Sequence, residues 1–152
     1  MRLKDVEDVS KLTPAMQQYA NLKKNNESSL LFFRMGDFYE LFFDDAIITA
    51  KELNITLTKR GKVLNESIPM CGIPFHAANN YVPKLVKKGF EIAICEQTSS
   101  PEEMSLKGIK GPLTREVTRI ITPGTLIEEN HLESEQYNFC LLYTSDAADE
   151  FS

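Results

Sequence analysis

Two apolar runs with only two residues between them constrain this chain more than any other feature. Residues 30–35 read Leu-Leu-Phe-Phe-Arg-Met and residues 38–43 read Phe-Tyr-Glu-Leu-Phe-Phe, with Gly36-Asp37 in the gap. Each run is short for a helix and of the right length for a buried strand. A gap of two residues containing glycine then joins the strands as a hairpin. A hairpin is not stable alone in water, so it demands further strands and something to cover the sheet.

The flanking sequence supplies both. Thr13-Pro14 is a helix-start pair, a capping hydroxyl followed by a residue whose missing N–H costs nothing at the first helical position, and residues 15–24 are good helix formers. Asp44-Asp45 place negative charge at the start of a helix over residues 46–53. Residues 56–58 form a short β-branched stretch ahead of a basic loop, Lys59-Arg60-Gly61-Lys62. A further strand falls at 68–71 and a helix at 77–88, where Pro83 requires either a start near Asn79 or Asn80 or a kink. Gly89 is a C-cap, and strands at 90–95 and 115–121 are separated by a polar loop holding Pro and Gly. Thr122-Pro123-Gly124-Thr125 turns the chain out. Helices alternating with strands around a hairpin predict an α/β fold, a mixed sheet covered by helices.

With 152 residues, 42% of them hydrophobic, the chain suits one compact domain. No apolar run is long enough to span a membrane, and the charged N-terminus is unlike a secretory signal, so the expected location is cytoplasmic, with no membrane partner. Cys71, Cys95 and Cys140 are odd in number and have no paired spacing or histidine neighbours, which points to reduced structural thiols and to no metal site. The net charge of −5 argues against a nucleic-acid ligand, but its distribution reverses that reading. Every basic residue lies at or before Arg119. After it come only acids: Glu128, Glu129, Glu133, Glu135, Asp146, Asp149 and Glu150. The first 125 residues are therefore weakly basic.

The segment most open to a functional reading is the second strand. Side chains alternate along a strand, so Phe38 and Glu40 share one face while Tyr39 and Leu41 share the other. Aromatic residues at such positions are ordinarily core. A core strand does not account for an acid on the face of Phe38, whereas a ring beside a polar group is what a minor-groove wedge requires.

Met35-Gly36-Asp37-Phe38-Tyr39-Glu40-Leu41 resembles the Phe-X-Glu segment of the MutS family of DNA mismatch repair proteins. The likeness continues, in order, through Leu57-Thr58-Lys59-Arg60-Gly61, the block from Ile68 to Ala77, Ala93-Ile94-Cys95-Glu96-Gln97, Arg115-Glu116-Val117 and Thr122-Pro123-Gly124-Thr125. Residues 13–19 are similar to that family's opening helix. The resemblance implies an arm at 1–12 and a mismatch-recognition domain at 13–128. It implies double-stranded DNA carrying a mismatch or a small insertion or deletion as the partner, with Phe38 stacking on the defective base and Glu40 hydrogen-bonding to it. An ionised Glu40 accepts from a base N–H, and a protonated one donates. Lys59 and Arg60 are the candidates for contacts to the DNA backbone. Lys84, Lys87 and Lys88 are sufficiently explained as helix-end charge, Met70 as core, and His76 as part of a helix start.

The likeness fades after Asn130, and residues 129–152 are expected to be the start of a connector or a truncated or foreign tail. No G-x-x-x-x-G-K-[ST] phosphate loop is present, so the chain itself is not expected to be an enzyme or to hold a cofactor. In the family, ATP and magnesium are used elsewhere in a longer protein that dimerises around DNA and engages other repair proteins. Two rival readings come from other classes. Asp37, Glu40, Asp44 and Asp45 with Lys59 can be read as a metal-dependent nuclease, and the acidic tail as a protein-interaction module.

Overall fold

A computed structural model describes residues 2, 3, 6, 8–63 and 66–125. The expectations for the acidic tail, Cys140 and the connector or foreign segment at 129–152 lie outside the described residues. Helix α1 (Pro14–Lys24) begins as its sequence predicts, with the Thr13 hydroxyl accepting from Met16 N at 3.3 Å. Strands β1 (Ser29–Met35) and β2 (Phe38–Phe42) form the expected hairpin, in which Phe33 faces Glu40 and Met35 faces Phe38. Gly36 makes the turn possible. Its φ of +63 belongs to the left-handed region, which a side chain on L residues disfavours.

The chain passes from β2 into α2 (Phe43–Leu53) without a loop, so Phe43 leaves the strand in which its hydrophobicity had placed it. Phe43 stands at φ +57, an outlier for a bulky residue, and is held there by burial of its ring beside Tyr19. Next come β3 (Thr58–Val63), β4 (Glu66–Pro74), α3 (Ala78–Lys87), β5 (Glu91–Gln97), α4 (Pro101–Leu106) and β6 (Arg115–Ile121). Three differences from the sequence reading stand out. The basic segment at 59–62 is an edge strand rather than a loop, with a register shift between Lys59 and Lys62 where Gly61 adopts φ +61. Charged residues and a bulge are what keep an exposed edge from pairing with other chains. Second, Pro83 lies inside α3 rather than in its first turn. Third, the loop between β5 and β6 contains α4, opened by the Ser100 hydroxyl accepting from Glu103 N at 3.1 Å.

The six strands run in the order β3-β4-β2-β1-β5-β6. Among the described strands only β1 and β5 are parallel and all other neighbours are antiparallel, which makes the sheet mixed as expected. Both faces are covered. Leu30 and Phe32 of β1 pack with Tyr39, Leu41 and the helices α2 and α3, while Leu31 and Phe33 pack on the other side with Phe42, Met16 and Tyr19. Burial on both faces explains why β1 reads as an unbroken apolar run rather than an alternating one. Leu12 and Val6 of the N-terminal arm join the α1-side core. Among the described residues no helix is long and apolar enough to cross a membrane.

Candidate nucleic-acid interface

The β1–β2 turn, the start of β2 and the end of β4 meet at one end of the sheet. Phe38 pairs with Met35 on one side and Pro74 on the other, and its ring is 44% exposed. Its neighbours Tyr39 and Leu41 point to the opposite face and are buried at 6% and 0%. The alternation predicted for this strand therefore holds, with the ring of Phe38 left outside the core. Across β4 stands Gly72, where an added Cβ would meet Phe38 Cδ2 at 3.5 Å. That is ordinary contact distance, so the ring lies against bare backbone.

Glu40 follows on the same face, half-buried and facing Phe33 of β1 and Gly72 of β4. Its Oε1 accepts from Arg60 Nη1 at 3.2 Å. Burial pushes the Glu40 carboxyl above its ordinary range, and the charges of Arg60 and then Arg115 pull it back. Arg60 also donates toward Met35 Sδ at 3.7 Å and lies 5.9 Å from the Phe42 ring centre. Arg60 is thus brought to Glu40, a juxtaposition the sequence reading missed, while Lys59 is exposed on the edge strand.

Two further arginines brace the hairpin, and neither was singled out from sequence. On the α1 side, Arg115 donates from Nε to Arg34 O at 2.7 Å and from Nη1 to Gln18 Oε1 at 2.6 Å, with its guanidinium 4.6 Å from the Phe33 ring centre. From the other face, Arg34 donates to Gly36 O across the turn at 2.6 Å, pairs with Glu96 at 3.0 Å and stacks 4.0 Å from the ring of Phe75. Tyr39 also donates to Glu96. Phe75 N closes the end of the site by donating to Asp37 O at 2.8 Å. Apart from Arg34 with Gly36, these partners are 38 to 97 positions apart in sequence, so no local pattern signals them.

The carboxylates of the nuclease reading are not gathered. Asp37 and Asp44 are exposed, Glu40 is paired with Arg60, and Asp45 is buried with Lys23 and Tyr19. Among the described residues no group of three or more His, Cys, Asp or Glu side chains is placed to hold a metal ion. Cys71 and Cys95 are buried free thiols, both pushed up to about 12 by burial, which keeps them protonated and unreactive. His76 lies exposed in the short 3-10 turn Phe75–Ala77 ahead of α3, and Met70 is partly buried against the α1-side core.

Comparison with known proteins identifies the family. Residues 13–130 match the family described as MutS domain I. The chain is 53% identical over 131 residues to a DNA mismatch repair protein MutS of Bartonella quintana (strain Toulouse), and 52% identical over 132 residues to one of Ruegeria pomeroyi. These matches cover 86% and 87% of this chain but only 14% and 15% of the relatives. With a family match across most of its length and about half of the aligned residues identical in these relatives, the chain belongs to the MutS family of DNA mismatch repair proteins and corresponds to its N-terminal domain I.

Proposed function

We propose that this domain recognises a mispaired or unpaired base in duplex DNA, with the Phe38 ring as a minor-groove wedge and Glu40 as the group that engages the base. The observation that carries the reading is a large aromatic ring, 44% exposed at the end of a sheet, with a half-buried carboxylate two residues along on the same face. Opening a base step costs a few kcal/mol and costs least where pairing is already defective, so such a wedge selects damage in pairing rather than sequence. The bracing by Arg34 and Arg115 suits this task, because a ring that must enter a base stack needs a hairpin that does not yield.

Lys59 on the exposed edge strand is the candidate for a phosphate contact, and Arg60 shares that role only when released from Glu40. A weakly basic domain supplies few such contacts, so high affinity would come from a longer, dimeric protein closing around DNA. ATP and magnesium would be bound elsewhere in that protein, which would also engage other repair proteins.

The test is fluorescence anisotropy with matched duplex and with duplex carrying one unpaired base, using the longer dimeric protein. Phe38→Ala removes stacking worth about 1–3 kcal/mol, so preference for the defective duplex falls roughly 5- to 150-fold while matched binding stands. Equal loss on both duplexes, accompanied by loss of folded protein, would make the ring a core residue and overturn the reading.

A further inference from the structure

Arg60 belongs to the edge strand β3, and Glu40 to β2, with the whole of β4 between them. The contact exists because the Arg60 side chain reaches past β4 to the carboxylate, Nη1 lying 3.2 Å from Glu40 Oε1. The Arg60 side chain is 40% exposed and that of Glu40 18% exposed, so the pair adds little to folding. It does, however, hold the acid that stands two residues along β2 from Phe38 on the same face.

We propose that Arg60 is a positioning residue for Glu40: in the free domain it keeps the carboxylate ionised and aligned beside Phe38, so that Glu40 meets the base as an acceptor backed by a cation. The inference rests on the reading of Glu40 as the group that engages the base. Among the described residues the charged groups facing Glu40 are few. Arg60 from β3 touches it directly, and Arg115 from β6 acts at longer range because its donors are engaged by Gln18, Leu113 O and Arg34 O. Around them, β1 contributes Phe33 and Met35, β4 Gly72 and Met70, and α1 Gln18, all uncharged. Lys11 lies beyond Arg60 across a pocket of about 70 Å³.

Burial favours the neutral acid, and the direct opposition to it comes from Arg60. Arriving phosphates work against the pair from both sides, drawing Arg60 away and making an ionised Glu40 less favourable. How firmly Arg60 holds its partner therefore decides whether Glu40 accepts or donates. A position first read as a simple backbone contact becomes a determinant of discrimination.

The experiment has two arms. In the 152-residue chain labelled with 13C at glutamate carboxyls, Arg60→Gln should raise the Glu40 titration midpoint, and Arg60→Lys should restore most of the shift. An unchanged midpoint in Arg60→Gln would overturn the proposal. In the second arm, the ratio of affinities for single-mismatch and matched duplexes is measured for the parent sequence, Arg60→Gln, Glu40→Gln and the double variant. Arg60→Gln should change the ratio when Glu40 is present and leave it unchanged in the Glu40→Gln background. If Arg60→Gln weakens both duplexes alike in both backgrounds, Arg60 is a phosphate contact and the positioning role is wrong. If Glu40→Gln leaves the ratio untouched, the reading of Glu40 itself fails, and the positioning role in recognition falls with it.

Discussion

Two carboxylates five positions apart, Asp45 and Glu40, show how one fold uses the same chemical group in opposite ways. Both lie toward the α1 side of the sheet, and burial pushes both above their ordinary range. Asp45 is 5% exposed and fully engaged: Lys23 Nζ lies 2.9 Å from one oxygen and 3.0 Å from the other, Leu31 N donates at 3.0 Å and Tyr19 OH at 3.3 Å. It ties α1, α2 and β1 together. Glu40 has one arginine, whose side chain is 40% exposed, and no other hydrogen-bond or ion-pair partner among the described residues. The first acid is saturated by the fold, whereas the second keeps acceptor capacity for something outside the chain.

Replacing Lys23 tests that contrast with the largest expected effect. Lys23→Met leaves Asp45 buried without its cation, and loss of one partner of a buried pair costs about 3–5 kcal/mol. The folded-state pKa of Asp45 is already raised, and this change raises it further. A carboxyl bound more tightly to its proton in the folded than the unfolded state stabilises folding increasingly as pH falls. Denaturation in urea should therefore show the loss at neutral pH and partial recovery as the solution is acidified through that raised pKa. A cost below about 1 kcal/mol at neutral pH would mean that Asp45 is no more committed than Glu40.

At the Glu40 end the expected effects move from folding to recognition. Phe38→Ala should cost 1–3 kcal/mol of preference for a defective duplex, as argued above, while folding stability measured by thermal denaturation changes by less than about 1 kcal/mol because the ring is half outside the core. A stability loss of core size would erase the distinction between the two ends. Gly36→Ala comes next, at about 1 kcal/mol of folding stability. Nothing stands within 4 Å of the added methyl, so the cost is the left-handed backbone alone, and a neutral result in a melting experiment would mean that the turn relaxes. Lys59→Ala is the smallest, within about 0.5 kcal/mol of parental stability. In the longer protein it should lower the salt dependence of DNA binding by about one unit on both duplexes alike.

Much of the fold is legible in the residues because its signals are local. The Gly36-Asp37 gap, the Thr13-Pro14 cap and the apolar runs at β1 and β5 each report a conformation decided within a few positions. Even α4 carried such a signal, since Ser100-Pro101 repeats the hydroxyl-then-proline start of α1, with Glu103 completing a capping box. The edge strand β3 was less legible, because Lys59-Arg60-Gly61 has loop composition and becomes a strand only through pairing with β4. Phe38 and Glu40 were found by alternation along one strand together with family resemblance, and alternation needs nothing beyond local geometry.

Sequence alone determined the mixed α/β character, the hairpin that carries Phe38, the shared face of Phe38 and Glu40, and membership in the MutS family. Tertiary structure alone decided that Arg60 reaches Glu40 past β4, that Arg115 and Arg34 grip the hairpin from opposite faces, and that Asp45 is a buried anchor rather than a simple helix-end charge. The physical reason is range. Capping, turns and strand alternation act over a few residues and leave a pattern, whereas an ion pair depends on where distant strands are laid side by side, and Arg115 meets Gln18, 97 positions away in sequence, only because the fold returns it there.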